Sequence, residues 1–443
     1  MPNSVKNNEN YPVIKISDEY IKRSEGLIPA HTQTLAKGPT QWINGVAPKY
    51  LKKGRGARVW DVDGNEFIDL NAAIGPLVLG YCIPEIDEAI KNQLQDGITF
   101  SLMHPLEVEV AELIREVVPN VESVRYSKTG ADAVSAAVRL ARAYTGKKKI
   151  LCCGYHGWHD WYISVTDRNK GIPHEIGDLT FTFNYNDFDA LLDSIDDDVA
   201  AIILEPFVFQ KPDDGYLAKI REICTLKGII LVFDEMWTGF RVSLGGAQEY
   251  FGVNADLALF SKAIANGMPV SVICGRKDIM NLLDKEVFFF TTFGGEALSL
   301  AATKATINFI RNNGVVTEIA RKGKLLKDGY NNIVKELGMD YTSCSGFDCR
   351  TIITFDAKGG NPLELKSFVQ QEMIKRGVLW GGFHNVSYSL TDEDIAYILS
   401  CYKEVLGMLK AAVETGSVSS KLLGKPVESV FRKTSNFNMK PKN

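Results

Sequence analysis

A chain of 443 residues, 45% hydrophobic and 23% charged, has the composition of an ordinary globular protein with room for one large domain and a smaller one. Fifty basic residues against fifty-four acidic ones leave a formal net charge of -4, so no strong field draws the protein to nucleic acid or an anionic membrane; small molecules are the expected partners. Eight cysteines sit mostly inside apolar runs without C-x-x-C spacing and are expected as free, buried thiols in a reducing compartment, Cys344 and Cys349 included.

The opening MPNSVKNNENYPVIK is polar and lacks the apolar core of a signal peptide. The longest apolar patch, Ala72 to Cys82, is broken by Gly75, Pro76 and Gly80 and falls short of the ~20 residues that span a bilayer, so a cytoplasmic protein off the membrane is expected. A first helix is read in SDEYIKRSEGLI, with Ser17 as its cap. ARVWDVDGNEFIDL alternates around Asp63-Gly64, the signature of a β-hairpin. Strands and helices then alternate: ESVRYS, a helix from Ala131 to Tyr144, KKILCCG, AAIILEPF, a helix near Leu217 to Leu226, and the apolar runs before Asp234 and Ser261. That order predicts an α/β protein with a mostly parallel, doubly wound sheet. After Ile279 come helices over Leu298 to Ile310 and Lys322 to Leu337, strands in CRTIITF, GVLWGG and NVSYSL, and a last helix from Asp392 to Thr415. Residues 1–70 and 326–425 are expected to form a small α+β domain from both chain ends, residues 71–325 the large domain, and residues 426–443, basic with two prolines, a mobile tail.

The chemistry is written most plainly between Ile229 and Pro269. IILVFDE reads as a buried parallel strand delivering Asp234 and Glu235 at its carboxyl end, and DLALF ends the same way, delivering Ser261 and Lys262. In an open α/β sheet both ends face the ligand crevice. Lys262 has no charged neighbour in Lys-Ala-Ile-Ala-Asn-Gly-Met-Pro, and an amine in apolar surroundings is one that can attack a carbonyl. The same IILVFDE string also fits the magnesium-binding strand of a P-loop ATPase, but the chain contains no G-x-x-x-x-G-K-[ST] loop to accompany it.

The pair DE-x-x-TGFR and D-x-x-x-x-SKA-x-x-x-G-M-P resembles the class III pyridoxal-phosphate aminotransferases of fold type I, in the branch that includes glutamate-1-semialdehyde aminomutase. The resemblance spans roughly residues 40 to 410. It implies that Lys262 binds the cofactor aldehyde as a Schiff base and that Asp234 pairs with the protonated pyridine nitrogen of pyridoxal 5'-phosphate. A charged ring nitrogen makes the ring a better electron sink, and a buried carboxylate keeps it charged. Thr129, Gly130 and Ala131, between a strand and a helix, match the family's phosphate cup, with alanine where a hydroxyl is usual. Tyr155, in GYHGWHD, stands where the family stacks an aromatic ring on the pyridine, and Met236 where it presses an aliphatic on the other face. The His-x-x-His of that loop has no third ligand placed, and no metal is expected. Glu205, ending AAIILE, is placed near the cofactor and substrate. Thr292 stands where a hydroxyl reaches the partner subunit's phosphate, which implies a homodimer with shared active sites.

By the same resemblance the reaction is ping-pong transamination between a small-molecule amino donor, expected to be L-glutamate, and a carbonyl acceptor. Three stretches depart from the aminomutase: Lys37 to Trp42 near the start, VTDRNKGIPHE in place of a Gly/Ser/Thr-rich lid, and Gly295-Glu296-Ala297-Leu298 in place of Gly-Asn-Pro-Leu. An intramolecular exchange needs a lid that retains its diamine intermediate, so the loss favours transfer between molecules. Glu296, Arg350, His384 and Asn385 are candidate hydrogen-bonding groups for a polar acceptor. TFGGEAL and HNVSYS resemble members that act on sugars, including one that aminates an octulosonic acid, so an amino-sugar role is expected. An ω- or β-amino acid transaminase, the aminomutase itself and an inactive binding protein of the same fold stand as alternatives.

Overall fold

The computed structural model describes residues 10–429, so residues 1–9 and 430–443 lie outside the described residues. Of the tail expected to be mobile from position 426, the described part is tied down: Val427 is buried and its amide donates to the Ser367 hydroxyl at 2.9 Å, and the Glu428 amide donates to the Thr40 carbonyl at 2.9 Å. The chain divides into two compact units: one draws on both chain ends, up to Ile83 and from Thr317 onward, and the other is Pro84–Val316.

In the first unit, helix α1 (Lys15–Ser24) precedes strands β1 (Leu51–Arg55), β2 (Arg58–Asp61) and β3 (Glu66–Asp69), which pair antiparallel in sequence order. The hairpin forms around Asp63-Gly64, with Gly64 at φ 96°, where glycine has no steric penalty. The turn also starts the helix. Asp63 accepts hydrogen bonds from the Ile16 and Ser17 amides (2.7 and 2.9 Å), so the cap comes from the hairpin and not from Ser17. Ser17 is instead buried within the helix, its hydroxyl accepting from the Lys49 amide at 2.8 Å.

The second unit is built on β4 (Ser123–Ser127), helix α2 (Gly130–Thr145), β5 (Lys149–Cys153), β6 (Thr180–Thr182), β7 (Val199–Leu204), β8 (Ile230–Asp234), β9 (Leu257–Phe260) and β10 (Ser271–Gly275). The seven-stranded sheet runs β4-β10-β9-β8-β7-β5-β6. From β9 to β6 every pair is parallel, and β10 is antiparallel to both neighbours. The sequence reading passes over β10, a short strand that follows the lysine loop directly. Both faces are covered: α2 lays Val134, Ala137, Val138 and Ala141 on one, while Leu217 and Ile220 of helix Tyr216–Lys227 pack with Ile202, Leu204 and Phe233 on the other. The alanines of α2 let its backbone approach the sheet closely, and each fully buried valine or leucine contributes ~1.5–3 kcal/mol. Helix α3 (Ala297–Asn312) closes the unit.

Returning to the first unit, β11 (Thr342–Phe347), β12 (Arg350–Phe355) and β14 (Phe383–Asn385) form an antiparallel sheet, and the two-residue β13 (Val378–Leu379) joins β3 in parallel. The expected strand over NVSYSL is displaced to Phe383–Asn385, because the amides of Tyr388 and Ser389 bond to the carbonyls of Val78 and Leu79 and leave the sheet. Helix Val315–Glu336 starts earlier than its apolar period suggested, and the last helix, Asp392–Glu414, opens with a capping box at Thr391. Every cysteine is a free thiol, exposed at Cys82 and buried elsewhere. Among the described residues no helix is long and apolar enough to cross a membrane.

Candidate active site

Strands β8 and β9 are parallel neighbours with Asp234 opposite Leu259, so Asp234 and Lys262 leave the same edge of the sheet side by side. Asp234 is 1% exposed. One carboxylate oxygen accepts from the Met236 amide (3.1 Å), and the other meets Nδ1 of His156 at 2.8 Å. The second ring nitrogen of His156 lies 3.1 Å from the Cys153 carbonyl. The imidazole is thus held at both ring nitrogens, between the carboxylate and a backbone carbonyl. A buried carboxylate is costly unless paired and hydrogen-bonded, and His156 supplies that pairing from the GYHGWHD loop. Glu235 serves another purpose: the Ala247 and Gln248 amides and the Thr238 hydroxyl all donate to it, and burial pushes its pKa up to about 7.

Lys262 takes a left-handed backbone conformation, φ 49°, which is rare for a residue with a side chain and marks a position held by its surroundings. Its amine sits 4.4 Å over the ring of buried Trp237. Ser261 closes the loop through the Val270 carbonyl at 2.7 Å.

At the start of α2, Thr129 and Asp132 form a capping box: the Asp132 amide donates to the Thr129 hydroxyl, and the Thr129 amide to the Asp132 carboxylate. The Gly130 and Ala131 amides remain in the first turn, where a helix presents N–H groups and its positive dipole end to an anion. Neighbouring segments close round this cup. A Cβ on Gly130 would lie 3.1 Å from the Met236 sulfur, and one on Gly157 would lie 2.7 Å from Cβ of Ala131. One on Gly154 would lie 3.0 Å from Cγ of buried Glu205. Tyr155, at the head of the same loop, packs edge-to-face on Tyr162. The structure thus brings Thr129, Gly130, Ala131, Glu205, Asp234, Met236 and the Tyr155 loop together at the strand ends where Lys262 emerges. An amine, a buried carboxylate and a helix N-terminus in a glycine-lined cradle are the groups that an aldehyde, a ring nitrogen and a phosphate require, and pyridoxal phosphate fits this donor set.

Thr292 lies exposed in the turn before α3. Glu296 is the cap of α3: it accepts from the Leu298 and Ser299 amides and pairs with Lys128 at 2.8 Å. Although burial raises its pKa, the hydrogen bonds from Lys128 and Ser299 prevail and hold it below the usual carboxylate range. The other three substrate candidates belong to the first unit. Arg350 is buried at the start of β12, opposite Asn385, whose side-chain amide donates to the Asn71 carbonyl at 2.8 Å. His384 is a core residue: its ring nitrogens meet the Thr351 and Tyr402 hydroxyls, each at 2.8 Å, and burial pushes its pKa down to about 3. The sequence reading missed Trp237 and Ser271, and it weighed His156 only as half of a His-x-x-His metal pair. Its place three residues after the end of an apolar strand was the available signal. Among the described residues no group of three or more His, Cys, Asp or Glu side chains could hold a metal ion.

Fold and site together define a pyridoxal-phosphate enzyme of fold type I. A family model described as aminotransferase class-III matches residues 44–400, and the chain belongs to that family of transaminases. A 3-aminobutyryl-CoA aminotransferase of Cloacimonas acidaminovorans is 35% identical over 402 residues, covering 88% of this chain and 96% of the relative. A glutamate-1-semialdehyde 2,1-aminomutase of Alkaliphilus oremlandii is 34% identical over 428 residues, 90% of this chain and 100% of the relative. Among solved structures, the FumI protein of Sphingopyxis sp. MTA144 in its pyridoxal-phosphate internal aldimine form superposes with a TM-score of 0.84 at 26% identity, covering 93% of this chain and 98% of that one.

Proposed function

We propose that this transaminase takes its amino group from L-glutamate and passes it to a carbonyl acceptor, with Lys262 and Asp234 as its catalytic residues. The observation that carries the assignment of roles is the emergence of Asp234, backed by His156, and Lys262 from adjacent parallel strands. When bound, pyridoxal phosphate supplies the aldehyde that accepts the amine and the ring that draws electrons from the substrate α-carbon. Asp234 holds the positive charge at the pyridine nitrogen. With the cofactor bound, the Lys262 amine would take up the proton of the donor's α-carbon as base and return it as acid. Thr129, Gly130 and Ala131 would hold the phosphate, Tyr155 and Met236 would hold the ring, and Glu205 would border the substrate side.

A homodimer completes this proposal, with Thr292 of each chain serving its partner's phosphate. The surroundings of Thr292 support it: Phe288 is 72% exposed, Phe290 57% and Phe293 59%. The adjoining segment, tied by the bond from the Ala297 amide to the Ile98 carbonyl, exposes Leu102 (79%) and Met103 (82%). Large apolar side chains exposed in neighbouring segments mark a surface that a partner would cover.

For the acceptor, the stretches at 292–298 and 384–389 support a sugar aldehyde or keto sugar such as an octulosonic acid derivative. A second reading, a 3-oxo acceptor giving a β-amino product, is favoured by the 3-aminobutyryl-CoA aminotransferase relative and by the engagement of Glu296, His384 and Asn385 in caps and core bonds. The test is absorbance of the holoenzyme. L-glutamate should bleach its yellow colour in the wild type and not in Lys262→Ala. Recovery of colour is then scored with an octulosonic aldehyde, a 3-oxobutyryl thioester and glutamate-1-semialdehyde. Recovery with the first alone supports the sugar reading, with the second alone the β-amino reading, and with the third alone the aminomutase. Failure to bleach with glutamate refutes the donor.

A further inference from the structure

The Lys128 ammonium sits immediately before the cup and has all three of its N–H donors engaged. They reach the Pro269 carbonyl at 3.0 Å, Glu296 Oε1 at 2.8 Å and the Ser299 hydroxyl at 3.3 Å. These contacts join three segments: the strand-to-helix turn that forms the cup, the end of the loop that begins with Lys262, and the first turn of α3. The pair is largely shielded, with side-chain exposures of 19% for Lys128 and 10% for Glu296. Ser299 adds a bond of its own to the Pro269 carbonyl at 3.1 Å. From the other side, Ser271 donates to the Thr129 carbonyl at 2.7 Å and meets the Ser127 hydroxyl at 2.6 Å. The backbone at 127–129 is therefore fastened to residues 269–271 on both flanks. With its donors committed, Lys128 does not reach a phosphate itself; it acts through the position of Thr129 and the amides that follow.

We propose that Lys128, anchored by Glu296, is a positioning residue for the phosphate subsite, setting the cup against the Lys262 loop. This rests on the assignment of Thr129, Gly130 and Ala131 as that subsite. A residue that places a cup for phosphate must matter to the phosphate and not to the rest of the cofactor. Pyridoxal phosphate and pyridoxal, which lacks the phosphate, separate the two.

The experiment titrates apoprotein with each compound by absorbance, for wild type, Lys128→Met, Lys128→Arg and Glu296→Gln, with thermal unfolding as a check on folding. Lys128→Met is expected to weaken pyridoxal phosphate about tenfold, as loss of an outer positioning partner commonly does, while pyridoxal affinity stays within about twofold of wild type. Lys128→Arg retains the charge and is expected to restore part of the difference. Glu296→Gln keeps a capping oxygen and removes only the charge, so it should narrow the preference for the phosphorylated form by a smaller factor. If Lys128→Met does not fold, Glu296→Gln decides: an unchanged preference overturns the proposal. Equal weakening of both compounds, or no change in either, overturns it too and leaves the cup assignment standing. A wild-type protein that binds pyridoxal as tightly as pyridoxal phosphate would instead overturn the cup assignment, and the positioning role with it.

Discussion

His384 offers a sharp test of whether a polar residue in a suggestive sequence motif belongs to the core or to the substrate. Buried between the Thr351 and Tyr402 hydroxyls, the ring is held neutral, its pKa pushed down from 6.5 to about 3 by burial. As the pH falls below 6.5 the unfolded chain takes up a proton at this position that the folded protein refuses. The unfolded state then binds more protons, so stability is fully present above pH 6.5 and is lost as pH falls through the window down to about 3. The full shift corresponds to about 5 kcal/mol, at about 1.4 kcal/mol per pH unit, or roughly 2 kcal/mol between pH 7.5 and pH 5. Urea midpoints of the wild type and His384→Gln at those two pH values isolate the contribution, because other titrating groups cancel in the comparison. The wild type should lose about 2 kcal/mol more than the variant. Histidine-selective 15N labelling reads the same residue directly, since the chain has six histidines. A His384 resonance that titrates near pH 6.5, or equal losses in the two proteins, would refute a buried neutral ring and return His384 to the list of groups open to substrate.

The buried Glu235, with its pKa near 7, works in the opposite direction. Between pH 4.5 and 7 the folded protein keeps a proton the unfolded chain has released, so its contribution falls as pH rises, by about 1.4 kcal/mol per unit; Glu235→Gln should flatten that slope in urea midpoints taken at pH 5 and 8. Asp63→Ala removes the acceptor of the Ile16 and Ser17 amides. It should cost about 1 kcal/mol and speed hydrogen exchange at those two amides, and unchanged exchange would show that α1 is capped otherwise. Gly157→Ala places a methyl 2.7 Å from Cβ of Ala131 at φ 92°. The strain, about 1–3 kcal/mol, is relieved by moving the loop off the cup, and pyridoxal phosphate affinity measured on the apoprotein should drop about tenfold or more; wild-type affinity would mean that the loop and cup are not in contact.

The legible parts of the fold were those where one residue pattern has one physical explanation. Parallel strands buried on both faces must be continuous apolar runs, and β7 and β8 are buried along their whole length, so VAAIIL and ILVFD could be read directly. Asp63-Gly64 admits few backbone shapes other than a hairpin turn. What stayed hidden were long-range partners. Ser17 satisfies every local rule for a helix cap, yet the side chain that caps α1 comes from a turn far along the chain. NVSYSL alternates like a strand, but its amides are claimed by Val78 and Leu79. No local pattern carries that information.

The same distinction separates the two halves of the site. The residues proposed to hold the cofactor sit at strand ends and at a helix N-terminus, where local sequence dictates geometry. The apolar runs before Asp234 and Lys262 placed those two at strand ends, while their roles, and the choice of Thr129, came from the family resemblance. The adjacent acids show how fine the division is. Successive side chains of a strand point to opposite sides, so Asp234 turns to His156 while Glu235 turns to the Ala247 and Gln248 amides. One carboxylate is turned to the loop of the proposed site, and its neighbour fastens the chain that follows. The acceptor candidates lacked any such local constraint. Glu296, His384 and Asn385 were singled out for being polar in an unusual stretch, and a polar residue that folding buries must find a partner whether or not a substrate exists. For Glu296 and His384 the structure supplies that partner in Lys128 and in Tyr402, whereas Asn385 donates to the Asn71 carbonyl but leaves its buried Oδ1 without a donor, so among the three it is Asn385 that folding does not fully satisfy.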